Sequence, residues 1–209
     1  MIIIGAKGFA KELLEVLKER PADVFKDICF YDDKSENEDG CIFENYKVIR
    51  STEECKNRFA EDNKFILGVG DPYTRRKLCI TFEELGGKLI GIISNKSNIG
   101  SHNKIDSTST ILQRVVIEND NIIGKGNLIH VGTFISHDVT MGEFCVLSPY
   151  SKLLGGCSLG DFCSVGTGAI ILPNVHISNN VIIGAGAVVT KDVEPGVTVT
   201  GVPARKMDK

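Results

Sequence analysis

The sequence lacks a charge excess of either sign, a long apolar run and any paired-cysteine motif. Its 24 Lys and Arg stand against 27 Asp and Glu, for a net charge of -3. That balance gives no reason to expect nucleic acid or an anionic membrane as a partner. The apolar opening Met1-Ile2-Ile3-Ile4 has no basic flank and meets Gly5 at once. It is too short for a signal peptide or a membrane span, and the expectation is a cytoplasmic protein. Seven cysteines form no CxxC pair, and no histidine clusters with them at zinc spacing. They are expected to be small buried apolar residues, with no metal site. What is present is 42% apolar residues at a mean hydropathy of +0.03 over 209 residues. That is a globular chain long enough for one large domain or two modest ones.

A repeat dominates the second half. Stepping by six from Ile93 gives Ile99, Ile105, Ile111 and so on through Met141, Leu153 and Val165 to Val189, every residue aliphatic or Met. A period of six fits neither a helix nor a strand with a hairpin. It fits a prism with one hexapeptide per flat face and eighteen residues per coil. Glycines often follow the aliphatic directly, as at Gly100, Gly124, Gly142, Gly160, Gly166 and Gly184, where they are expected to form the corners between faces. Four places after the aliphatic the side chains are mostly small (Thr133, Cys145, Ser151, Cys157, Cys163, Ala169, Ala187). A narrow interior of stacked parallel strands needs that alternation.

The first third reads differently. Ile2-Ile3-Ile4 is a buried strand, followed by the turn Gly5-Ala6-Lys7-Gly8-Phe9 and a helix from about Ala10 to Glu19 with Leu13, Leu14 and Leu17 inward. Ile28 to Tyr31 is a second strand ending at Asp32-Asp33, Lys64 to Val69 a third, and a helix spans about Tyr73 to Leu85. The alternation implies a small parallel sheet. A glycine turn at a helix amino terminus suits a phosphate, and acids ending the next strand suit a nucleoside. The same residues also read as a tight turn and two solvated aspartates. The boundaries expected are 1–88 for an α/β domain and 89–209 for the β-helix with its tail.

Of the four histidines, two are candidate bases. His137 stands in Phe134-Ile135-Ser136-His137-Asp138, and His130 follows an inward isoleucine at a corner. An imidazole titrates near neutrality and is normally oriented by a carboxylate. Neighbours on a strand point apart, so contact between His137 and Asp138 requires a bend or another subunit.

Three groups of residues carry a family resemblance. They are Ile4-Gly5-Ala6-Lys7-Gly8-Phe9-Ala10 with Phe30-Tyr31-Asp32-Asp33; Gly68-Val69-Gly70-Asp71 with Arg75-Arg76-Lys77-Leu78; and Ile135-Ser136-His137-Asp138-Val139-Thr140-Met141-Gly142 with the closing Ile183 to Val193 and Gly201-Val202-Pro203-Ala204. The whole chain resembles the bacterial sugar O- and N-acetyltransferases of the sialic acid O-acetyltransferase type, which include enzymes acting on nucleotide-linked amino-sugars. The resemblance implies a small Rossmann-like α/β domain followed by a left-handed parallel β-helix, packed as a homotrimer with active sites between subunits. It implies direct transfer from acetyl-CoA, with His137 as general base, Asp138 as its orienting partner and backbone N–H groups near Gly155 for the oxyanion. The pantetheine arm is expected along one coil edge past Gly155, Thr167 and Ala185, with Arg205 or Lys206 at the CoA phosphates. Gly5, Lys7, Gly8, Phe9, Asp32 and Asp33 are expected to hold the nucleotide sugar. Lys7 stands where relatives often have Gly or Ser, and Phe144-Cys145-Val146-Leu147 lacks a further histidine that some relatives carry. N-acetylation of a nucleotide-linked amino-sugar is the leading expectation. The alternatives are O-acetylation of sialic acid or a small hydroxyl acceptor such as serine, and a non-catalytic β-helix module.

Overall fold

Three consecutive isoleucines build the centre of the amino-terminal sheet. Strand β1 (Ile2–Ile4) is fully buried and pairs in parallel with β2 (Cys29–Tyr31) on one side and β5 (Lys64–Leu67) on the other. A β-branched run buried on both faces is what a central parallel strand requires. The computed structural model describes every residue except 22–24, 26, 35–40, 44–45 and 208–209. The sheet order is β3-β4-β2-β1-β5-β6, with β3 (Cys41–Ile42) antiparallel to β4 (Tyr46–Ile49) at one edge and β6 (Lys88–Leu89) at the other. Three helices connect the strands: α1 (Gly8–Leu17), α2 (Thr52–Phe59) and α3 (Pro72–Glu84). Helix α1 starts two residues earlier than the apolar spacing predicts, because Gly5 at φ 108 turns the chain out of β1 at once. One compact unit comprises Met1–Gly70 and Thr74–Gly91; the other comprises Asp71–Tyr73 and Ile92–Lys209.

The second unit is a left-handed parallel β-helix with three flat faces. Its rungs are two-residue strands, and the second residue of each is the inward aliphatic of the six-residue repeat. The first face runs Asn98–Ile99, Val116–Ile117, Phe134–Ile135, Lys152–Leu153, Ile170–Ile171 and Val188–Val189. The second and third faces follow in rotation, so residues eighteen apart stack in register, as Phe134 does on Lys152 and Ile135 on Leu153. Ile111, Ile135, Leu153, Ile171 and Val189 fill the interior with the small Thr133, Cys145, Ser151 and Ala169 between them. Cys145 and Cys163 donate from there to the Gly160 and Ser178 carbonyls at 3.0 and 3.1 Å. Six cysteines are buried, and burial pushes the Cys55 and Cys157 thiols up to about 12. Cys41, on the short strand β3, is exposed instead.

The corners correct one expectation. The left-handed backbone falls three places after the inward aliphatic, at residues such as Asp120 (φ 62), Asp138 (φ 58), Phe162 (φ 58) and Gly156 (φ 71). The glycines directly after the aliphatic answer to proximity between coils. A Cβ on Gly124 would meet the Gly142 carbonyl oxygen at 2.7 Å, and one on Gly166 would meet the Ala185 nitrogen at 2.5 Å. Side chains are excluded there by the next coil, not by dihedral angle.

Candidate active site

His137 and Asp138 lie on the corner between the first and second faces. The preceding strand ends at Ile135, and Asp138 takes the left-handed conformation. That bend, not a second subunit, turns the two neighbouring side chains toward each other. Nδ1 of His137 donates to Asp138 Oδ2 at 2.8 Å, which leaves Nε2 to carry the lone pair in the neutral ring. The hydrogen bond to Asp138 raises the His137 pKa above its ordinary value, and the Asp138, Glu118 and Asp120 charges add to the effect. Both side chains are exposed, at 60% and 66%.

Stacking then decides what surrounds the imidazole. Gly155, eighteen residues on, lies directly against it: a Cβ there would meet His137 Cε1 at 2.7 Å and Nε2 at 2.8 Å. The Gly156 N–H donates to the His137 carbonyl at 3.0 Å, locking the two coils. On the amino-terminal side a cleft of about 550 Å³ is bordered by Glu118, Asn119 and Asp120 together with His137 and Asp138. Glu118 is fixed by a 3.0 Å hydrogen bond from Ser136 Oγ. On the other side a cleft of about 490 Å³ is bordered by Leu154, Gly155, Gly156, Pro173 and Asn174. His137 thus stands between an acidic cleft and one without charged walls other than Asp138.

The other histidines lack this arrangement. His130 is half-buried at the corner after the third face. His176 shares a 2.8 Å hydrogen bond with Ser158, and His102 is 3.7 Å from Asp120. Among the described residues no group of three or more His, Cys, Asp or Glu could hold a metal ion, and no helix is long and apolar enough to cross a membrane.

The remaining expected site residues fall into three places. Gly5 to Phe9 and Asp32-Asp33 come together, because β1 and β2 are parallel neighbours with Ile4 opposite Tyr31. The Gly5 N–H donates to the Tyr31 carbonyl at 2.8 Å, and Asp32 accepts from the Lys34 N–H at 3.0 Å. Arg205 and Lys206 form an exposed strand antiparallel to Thr198–Thr200, at a cleft of about 410 Å³ that Lys191 also borders. Gly155, Thr167 and Ala185 do not share one edge. Gly155 is on the corner after the first face, whereas Thr167 and Ala185 stack on the corner after the third, following Ser164–Val165 and Ile182–Ile183. Single-period counting cannot separate edges that alternate every six residues.

Residues 1–82 match the family model of the PglD N-terminal domain, and residues 156–191 match that of the bacterial transferase hexapeptide of six repeats. No curated protein sequence matches the chain at a significant level. Solved structures do. The acetyltransferase domain of PglB from Neisseria gonorrhoeae is 26% identical with a TM-score of 0.89, over 99% of this chain and 98% of that one. The chain is an acetyltransferase with bacterial transferase hexapeptide repeats in its second unit. PerB from Caulobacter crescentus, solved with CoA and GDP-perosamine, is 27% identical over 99% and 96% of the two chains at a TM-score of 0.87. WeeI from Acinetobacter baumannii is 26% identical over 99% and 98%, at a TM-score of 0.91.

In this acetyltransferase the close fit of Gly155 to the imidazole gives a direct prediction. With His137 as the expected base, Gly155→Ala should push the ring aside and lower kcat by about 10²-fold, the cost of misplacing a reacting group by about 1 Å. Steady-state kinetics on the folded variant check it; an unchanged kcat would show that the ring does not need this position.

Proposed function

We propose that this acetyltransferase transfers the acetyl group of acetyl-CoA to the amine of a nucleotide-linked amino-sugar. The observation that carries this reading is the His137–Asp138 pair standing between two unlike clefts. Glu118 and Asp120 in the amino-terminal cleft favour a cationic ammonium and repel the carboxylate of sialic acid. The opposite cleft, with its glycines and Leu154, suits a thioester. PerB, bound to CoA and GDP-perosamine, supports the pairing of these two ligand classes. Asp138 holds the ring so that, once the bound ammonium has lost one proton to solvent, His137 Nε2 takes a second from the sugar amine as its nitrogen bonds to the thioester carbonyl carbon. The tetrahedral oxyanion is stabilised by the Gly155 N–H, which meets no backbone carbonyl among the described residues. Collapse breaks the carbon–sulfur bond, and the proton on His137 passes to the departing CoA thiolate.

The nucleotide is held where β1 and β2 end. Helix α1 has no acidic residue in its first turn and Lys7 at its N-cap, so its positive end and that ammonium suit a diphosphate, while Asp32 and Asp33 face the nucleoside. A homotrimer completes the site. A pantetheine arm that touches Gly155, Thr167 and Ala185 draws the first from one protomer and the other two from its neighbour. Arg205 and Lys206 then meet the CoA phosphates. A thermal-shift panel of nucleotide sugars tests the reading: a nucleotide amino-sugar raises the melting temperature of the wild type and not of Asp32→Ala. A panel in which only free sialate or serine stabilises the protein favours the hydroxyl-acceptor alternative.

The raised His137 pKa fixes a pH dependence. The base works unprotonated, so the acidic limb of the kcat/KM profile should lie above the ordinary histidine value. Asp138→Asn removes the group that raises it, so the limb moves to lower pH while the rate falls. A limb that stays in place in Asp138→Asn would detach that limb from His137.

A further inference from the structure

Arg75, on α3, is the largest of the fully buried side chains, with 1% of its surface exposed. Its Nη1 donates to the Leu67 carbonyl at 3.2 Å and to the Val69 carbonyl at 2.8 Å. A guanidinium is costly to bury, and here it is directed at the backbone where β5 ends. Burial lowers its pKa to about 9, which leaves it cationic at neutral pH. The segment it holds, Gly68 to Gly70, packs on the glycine turn after β1. A Cβ on Gly5 would meet the Gly68 oxygen and Val69 Cγ1 at 3.0 Å, and one on Gly68 would meet the Ile4 oxygen at 3.1 Å. In an open parallel sheet, ligands bind at the carboxyl ends of adjacent strands, and β1 and β5 are adjacent here.

We infer that Arg75 is a positioning residue for the nucleotide sugar: through the Val69 carbonyl it fixes the Gly68–Gly70 segment against the Gly5 turn, setting the shape of the phosphate cradle. The inference rests on the proposed nucleotide site. It is tested by calorimetric binding of a nucleotide amino-sugar to wild type, Arg75→Gln, Arg75→Lys and Asp32→Ala, each checked for fold by circular dichroism. Arg75→Gln should weaken binding about tenfold or more, the scale of a lost hydrogen bond from a charged group. Arg75→Lys should recover part of the loss, and the KM for acetyl-CoA and kcat at saturating sugar should be unchanged. A purely structural role would lower the melting temperature and leave the sugar Kd where it was. If Asp32→Ala weakens binding and folded Arg75→Gln does not, the role of Arg75 is wrong and the nucleotide site stands. If neither weakens it, the nucleotide site itself is wrong. Should Arg75→Gln not fold, amide exchange of wild-type residues 68–70 decides: protection gained on adding the nucleotide sugar supports the inference, and unchanged exchange overturns it.

Discussion

His137→Ala should lower kcat by about 10²–10⁴-fold, the range of a positioned general base, while acetyl-CoA binding and the folded state persist. The side chain is exposed and fills no core space, so its removal leaves the coils intact. The loss should fall on kcat because the role proposed for the imidazole is on the proton that moves in the transition state, not on groups that bind substrate. Steady-state kinetics with circular dichroism and CoA calorimetry check it. A folded variant that keeps more than about a tenth of the wild-type rate would fall outside what a base contributes, and would remove His137 from that role.

The second large effect is on stability. Leu153→Ala should cost about 2–5 kcal/mol, the range for truncating a fully buried leucine. Leu153 is buried between Ile135 and Ile171 in the stacked interior, and a narrow prism has no side chain free to move into the gap. Its neighbour Lys152 points outward, and Lys152→Ala should stay within about 0.5 kcal/mol. Thermal melts of the pair read the alternation directly, at about 2–4 °C for each kcal/mol in a chain of this size. Equal effects at the two positions would contradict the inward register.

That register was legible in the sequence because each coil repeats one simple demand: an aliphatic inside and, four places on, a small residue beside it in the interior. Where a residue serves more than its own hexapeptide, the pattern is silent. The glycines after the aliphatics look like dihedral requirements, but Gly124 is small because of Gly142 on the next coil. Glu118, Asp120 and Asn174, which border the clefts, carry no motif. Asp120 is nevertheless eighteen residues before Asp138, and Asn174 is eighteen after Gly156, so the coil length places them beside the site once it is used as a ruler. The bend that joins His137 to Asp138 depends on a left-handed aspartate, which no spacing rule marks. In the amino-terminal unit, β1 declared itself through three isoleucines, whereas β3 and β6, of two residues each, are too short to show a period. Helix α2 did leave a signal: Ser51 accepts from the Glu54 N–H at 3.2 Å, and Ser-x-x-Glu is the capping pattern.

The central claim is the class of acceptor, and release of free CoA thiol measures it. Wild-type protein with acetyl-CoA is offered a nucleotide-linked 4-amino-sugar, free sialate or serine in parallel reactions. Thiol release with the nucleotide amino-sugar, lost in His137→Ala, is the predicted result. Release with sialate or serine and none with any nucleotide amino-sugar would contradict it.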